Sequence, residues 1–516
     1  MSATENKPIV PNILRIGIPI LQNPIKRADQ SLISRGLARN YSLPPAPMLA
    51  YRARLMSAAA QPSSFAGELK ATLLLAAPLA AANLLQMAVH AVDVIFVARL
   101  GQDALAAASL SISLFGLLMW AFSGLTGAVA PLIAAELGKG RHAVREIRRS
   151  VRMALWLAVL SGLFGMAICG FGGALLAASG QDPVISELAG GFLRVLMWGM
   201  IPMIMANVLR TFVAAMGRPI FATLITAAAI GVNILANWVF VFGGFGVPAM
   251  GLNGSAVASV VTSVCMFLAY LGVVCADRRF RRYYLFGRFW RPETKRLKEI
   301  TLIGLPIAGT ILAEAGLFSS AALLMGWIGK AELASHTIAL QIAAFAFQIP
   351  FGVGQAATIR VGYHFGAGNR AAIGHAGRAA IMVCVLFSVV TACLLLFAPR
   401  LVISAYVDIH APANAVLVSL AVQYLAIGAL FQLFDGTQAV VAGALRGLQD
   451  TKVPMAIAIF GYWLPGMGSA LWLAFHTPLR GAGVWFGFAI GLAVVAVLLL
   501  YRWHGRERLN LVAQLP

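Results

Sequence analysis

The chain predicts an all-α polytopic membrane protein, with twelve transmembrane helices in two pseudo-symmetric six-helix lobes. Three observations carry that prediction. Of its 516 residues, 60% are hydrophobic and only 11% are charged, whereas soluble domains carry about 25% charged residues. Apolar runs of eighteen or more residues, long enough to cross a bilayer core, recur along the chain. The second half of the chain also repeats the first.

The apolar runs fall at 71–98, 104–135, 153–178, 188–215, 219–242, 254–276, 300–328, 332–365, 379–406, 416–445, 453–475 and 483–503. They divide the chain into an N-terminal tail at 1–65, a first lobe at 66–276, a basic connecting loop at 277–299 and a second lobe at 300–516. The tail is polar and contains proline, and it is expected to be disordered. Its first 55 residues do not follow the charged, apolar, small-residue plan of a secretory leader. The string MSAAAQPSSFAGELKATLLLAAP, beginning at Met56, reads as a start just ahead of the first span.

The net charge of +21 is distributed as a topology signal rather than as a nucleic-acid footprint. With sides alternating at each span, one side holds 136–152, 216–218, 277–299, 366–378, 446–452, the C-terminus and the segment before residue 71. Nearly all the Lys and Arg lie there. The other side holds only Arg99, Lys330, Arg400 and Arg480. Basic loops stay cytoplasmic, so both termini are expected inside a bacterial inner membrane. Contact with anionic headgroups follows as a by-product.

Several chemistries find no support in the residue pattern. No GxxxxGK[ST] loop occurs and no soluble stretch could form a nucleotide-binding domain, so any transport must run on an ion gradient. No nucleophile–base pair or metal-ligand spacing points to an enzyme, and no cofactor is implied. Cys169, Cys265, Cys275, Cys384 and Cys393 all lie in or beside apolar runs. They read as small buried hydrophobes rather than disulfide or metal ligands. Among the histidines, His90 stands out because it lies one turn before Asp93.

An offset of 228 residues aligns the halves without a gap over about sixty positions. Pro78 then meets Pro306, Gly101 meets Gly329, Gly124 meets Gly352, Gly138 meets Gly366 and Gly140 meets Gly368. Six spans per half is an even number, so both halves insert with the same orientation. Parallel repeats of this kind are related by an axis along the membrane normal, and transporters place their sites at the repeat interface.

Within the spans stand three acids with no basic neighbour in sequence: Asp93, Glu314 and Asp435. An ionisable residue at the bilayer centre costs about 2.5–3.5 kcal/mol on insertion scales, so each is a functional candidate. At about 1.5 Å per residue, Glu314 and Asp435 reach a similar depth in the second lobe. Asp93 lies nearer the outer end of the first. Uncharged polar groups accompany them and are candidates for a substrate cavity. Gln86, His90, Asn207, Asn233 and Asn237 lie in the first half. Gln341, Gln348 and Gln355 stripe the eighth span, and Gln432 and Gln438 flank Asp435. The alternative for each amide is hydrogen bonding between helices.

The strings AVDVIFVARLG (91–101), IGLPIAGTILAEAGLF (303–318), ATIRVGYHFGAGN (357–369) and LFDGTQAVVAGALRGLQD (433–450) resemble the multidrug and toxic compound extrusion family, nearest its NorM-like branch. The resemblance runs from residue 65 to about 505. It implies two six-helix lobes in a V that opens alternately to either side. It also implies that Glu314 and Asp435 help form a coupling-cation site, for Na+ or H+, in the second lobe. Asp93 would take part in protonation and drug release in the first. In the first-span motif Val97 and Ala98 stand where small pairs are common, which bears on local packing and not on the acid.

The implied function is cation-coupled export of cationic or amphipathic drugs by a monomer in the lipid bilayer. A flippase for lipid-linked oligosaccharides is the related alternative, and it calls for a basic central cavity. Arg194, Arg210 and Arg360 lie in spans, but Arg210 and Arg360 are near cytoplasmic ends and are expected to snorkel. A membrane scaffold with no transport activity would leave the three acids unexplained.

Overall fold

A computed structural model describes residues 64–140, 143–287 and 289–512. The expected tail therefore lies outside the described residues, apart from Ser64 and Phe65. Ser64 caps the first helix by accepting a hydrogen bond from the Gly67 N–H, and the helix starts at Phe65, ahead of the apolar run.

Among the described residues, twelve helices are long and apolar enough to span a membrane. They are α1 Phe65–Ala98, α2 Gln102–Lys139, α3 Ala143–Gly170, α4 Pro183–Ala215, α5 Ile220–Phe242 and α6 Leu252–Ala276 in the first half. In the second half they are α7 Thr294–Ile328, α8 Lys330–Gly366, α9 Arg370–Phe397, α10 Pro412–Gly447, α11 Lys452–Phe475 and α12 Gly481–His504. Most outrun their apolar cores, because a helix keeps its backbone bonds into the border where Arg and Lys meet water. Two apolar runs are not carried to their ends by one long helix. The run at 153–178 splits at Phe171 into α3 and a short helix Gly172–Ala178, at a stretch rich in glycine. The run at 379–406 ends its long helix at Phe397 because Pro399 disfavours helical backbone at Ala398. The connecting segment is not all loop: a turn of helix at Arg278–Arg281 follows α6, and α7 begins at Thr294.

Each half builds its own core. Phe212, Phe280 and Tyr283 are buried in the first, and Tyr424, Phe431, Trp485 and Phe488 in the second. The halves then meet through pairs that the repeat exchanges. α1 packs on α8, and α2 packs on α7. A Cβ added at Gly352 would come within 2.9 Å of the Ala80 Cα, and one at Gly124 within 3.4 Å of the Ala308 Cα. Ala80 and Ala308, like Gly124 and Gly352, are 228 positions apart. At the basic ends, Gly138 abuts the Tyr363 carbonyl while Gly366 abuts the Ala135 carbonyl, which is the same exchange again. At Gly352, Gly138 and Gly366 only glycine allows backbones this close, and a two-fold relation explains why the pairs swap.

The cysteine expectation holds for Cys169 and Cys384, which are buried, but not for Cys265, Cys275 and Cys393, which are exposed. On a membrane helix an exposed apolar face meets hydrocarbon, so a thiol loses nothing by standing there.

Candidate functional site

Four groupings of buried polar side chains among the described residues bear on the candidate residues. In the second lobe, Asp435 of α10 is buried and Glu314 of α7 is half-buried. Gln438, one turn along from Asp435, lies between them. Its Nε2 donates to Asp435 Oδ1 at 3.4 Å and to Glu314 Oε1 at 3.5 Å, both long bonds. The Gln438 Oε1 in turn accepts from the Tyr462 hydroxyl at 3.0 Å. Tyr462 is fully buried and opens the π-helical turn Tyr462–Met467 of α11, and such turns recur at functional positions. Below the acids a cavity of about 10 Å³ is lined by Thr310, Gln438, Arg446 and Thr451, enough for about one water.

In the first lobe, Asp93 of α1 is buried and well supplied with donors. Its Oδ1 accepts from Asn237 Nδ2 at 2.8 Å and from Asn233 Nδ2 at 2.9 Å, and its Oδ2 accepts from the Ser259 hydroxyl at 2.9 Å. Asn233 and Asn237 are one turn apart on α5, so both reach the same carboxylate. His90 is exposed and makes none of these three bonds.

The third cluster joins the halves near the basic loops. Glu68, in the first turn of α1, is fully buried. Arg360 of α8 grips it with Nε on Oε2 at 3.1 Å and Nη2 on Oε1 at 2.6 Å. His364 Nε2 lies 2.7 Å from the same Oε1. Arg360 therefore does not snorkel. Glu68 lies ahead of the apolar run, and it becomes an interior anion only because α1 starts at Phe65. The fourth cluster lies at the same junction. Arg210 Nη2 donates to Asn83 Oδ1 at 2.5 Å, and Asn83 Nδ2 donates to the Gln348 carbonyl at 3.5 Å. Arg210 is thus held by a side chain of α1 rather than snorkelling.

The remaining candidates divide. Gln432 donates to the Ala343 carbonyl at 3.2 Å and ties α10 to α8. Gln348 returns its amide to Ala344 of its own helix. Gln86, Asn207 and Gln355 are half-buried, and Gln341 is exposed. The structure thus collects Glu314, Asp435 and Gln438 in one place and Asp93, Asn233 and Asn237 in another, with His90 near enough to Asp93 to interact through charge and Gln341 apart. The sequence reading missed Asn83, Ser259 and Tyr462 as partners. It also passed over Glu68 and His364, and treated Arg446 only as the end of a span. The hydroxyls and Asn83 had no signal, since one polar residue in a span is common. Glu68 was legible as a charge ten residues before Pro78.

These features define a two-lobed, twelve-helix membrane protein of the transporter type, with buried acids in each lobe. The family model described as MatE matches residues 78–239 and again 306–471, two copies that start one repeat apart. The chain belongs to that family, the multidrug and toxic compound extrusion transporters, within its NorM-like branch. It is 46% identical over 442 residues to the "Probable multidrug resistance protein NorM" of Mesorhizobium japonicum, covering 86% of this chain and 95% of that one. It is 36% identical to the "Multidrug resistance protein NorM" of Burkholderia vietnamiensis, covering 87% and 96%. The fold is similar to that of the eukaryotic MATE transporter AtDTX14, with a TM-score of 0.77 at 21% identity over 87% of this chain and 98% of that one. It is also similar to a MOP superfamily transporter from Pyrococcus furiosus, with a TM-score of 0.76 at 23% identity over 87% and 97%. As a member of this family the protein is a multi-pass bacterial membrane transporter and not an enzyme.

Proposed function

We propose that the chain exports cationic or amphipathic drugs and toxic compounds in exchange for Na+ or H+, by alternating access of its two lobes. The observation that carries the reading is the second-lobe cluster, where two carboxylates from different helices share one amide at long range. Glu314 and Asp435 would hold the coupling cation, and Asp93 would carry the matching charge of the first lobe. A cation arriving between two donor-poor carboxylates relieves their mutual repulsion, and drug and ion then compete for the same negative charge. One charge crossing ~150 mV provides about 3.5 kcal/mol, roughly a 300-fold concentration ratio. The names of the NorM relatives support drug export as the direction of transport. The close glycine approaches at Gly138 and Gly366 and the Glu68–Arg360 pair fit a state closed on the basic side.

On this reading the protein is a monomer in the bacterial inner membrane with both termini cytoplasmic. A periplasm-active reporter fused after Arg508 is expected to stay silent, and an active one would reverse the orientation. The main test is drug transport in proteoliposomes under Na+ and H+ gradients imposed separately. Transport that ignores both gradients would sink the coupling reading. Movement of an anionic lipid-linked sugar instead of cationic drugs would favour the flippase alternative.

A further inference from the structure

The charges of the basic face are not spread evenly. A cleft of about 1180 Å³ lies between the start of α3 and the segment that leads into α7. α3 contributes Arg145, Arg148, Arg149 and Arg152, and the facing segment contributes Arg291, Lys295 and Arg296. Three carboxylates also line it, and two arginines engage them all. Arg149 pairs with Glu146 and Glu293, each at 3.1 Å, and Arg296 pairs with Glu299 at 2.6 Å. The cleft therefore keeps a surplus of positive charge. Several of its cations are positioned rather than loose. Arg152 is only 7% exposed, Arg148 Nε donates to the Tyr283 carbonyl at 2.5 Å, and Arg296 Nε donates to the Ser150 hydroxyl at 2.9 Å.

Two long helices, α3 and α7, begin at this cleft, and their N-terminal dipoles add to the same positive field. Trp290 and Tyr284 stand exposed beside it, and exposed Trp and Tyr mark the level where headgroups lie. A cavity of this size, charge and height suits a phosphate-bearing headgroup better than the cationic cargo proposed above.

We propose that the cleft binds the phosphate group of an anionic ligand, supplied by the headgroup of an anionic phospholipid in the leaflet that faces the basic loops. Guanidinium forks match phosphate oxygens, and a ligand there touches both α3 of the first half and α7 of the second. The bound lipid bridges the two halves beside their connection, whatever ion or drug the protein moves.

The test uses the purified full-length protein in a neutral detergent. Phosphatidylglycerol, phosphatidylcholine and inorganic pyrophosphate are titrated separately, with bound lipid read by native mass spectrometry and stabilisation read by thermal melting. The cleft variant combines Arg145→Ala, Arg291→Ala and Lys295→Ala, all exposed side chains. A control combines Arg370→Ala, Lys452→Ala and Arg508→Ala, which removes the same charge from other exposed positions. Wild type and control are expected to retain phosphatidylglycerol over phosphatidylcholine and to melt higher with it. The cleft variant is expected to bind it at least about tenfold more weakly, a loss of about 1.4 kcal/mol. If pyrophosphate stabilises equally and the cleft variant abolishes the effect, the phosphate site stands and its source is soluble. If the cleft variant and the control bind phosphatidylglycerol alike, the proposal is overturned.

Discussion

The two lobes treat their buried acids differently. Asp93 receives three hydrogen bonds of 2.8–2.9 Å from Asn233, Asn237 and Ser259. Glu314 and Asp435 share the single Gln438 amide at 3.4–3.5 Å. A buried carboxylate that accepts three close hydrogen bonds ties α1 to α5 and α6. Two carboxylates that share one amide depend on nearby positive charge instead, and the Arg446 guanidinium on the same side of Gln438 supplies part of it to Glu314. The lobes share one repeat, yet they support their buried acids with different numbers of donors.

The sharpest way to break this comparison is Glu314→Gln. It keeps shape and hydrogen bonding but removes the charge, and the insertion penalty of about 2.5–3.5 kcal/mol largely disappears. Expression is expected to be normal or improved while gradient-driven efflux collapses in proteoliposomes. Full transport by this variant would reduce the glutamate to helix glue and move the coupling site to Asp93. Asp435→Asn is expected to match it, and the double variant to be little worse than either single, because groups that act as a unit are non-additive. Additive losses would mean two separate sites.

Asp93→Ala probes the other side of the comparison. It strands three donors, and each buried unpaired group costs about 1–3 kcal/mol. Thermal melting is therefore expected to fall well below that of Glu314→Gln. An equal or higher melting temperature would show that the three bonds do not hold the first lobe together. Tyr462→Phe gives the smallest effect. It removes only the hydroxyl that holds Gln438, a loss of about 1 kcal/mol. The expected result is a several-fold weaker apparent affinity for the coupling cation with little change in maximal rate. An unchanged affinity would show that Gln438 needs no such support.

Much of the molecule was legible in the sequence because the bilayer is a severe solvent. With no water to pair backbone groups, long apolar runs must be helices, so their number and approximate ends follow from composition. The repeat offset followed from matched Pro and Gly positions, and the three acids stood out because charge is rare in such runs. Tertiary structure alone decided which polar groups meet. Glu68 lay outside every apolar run, and it became an interior anion because α1 begins early and α8 brings Arg360 and His364 to it. Tyr462 looked like one more apolar-span aromatic until the turn at Tyr462–Met467 placed its hydroxyl on Gln438. Composition constrains each helix separately. Rotation, kinks and packing against partners far away in sequence determine which side chains face one another, and that pairing separates an acid with three close donors from two that share one amide.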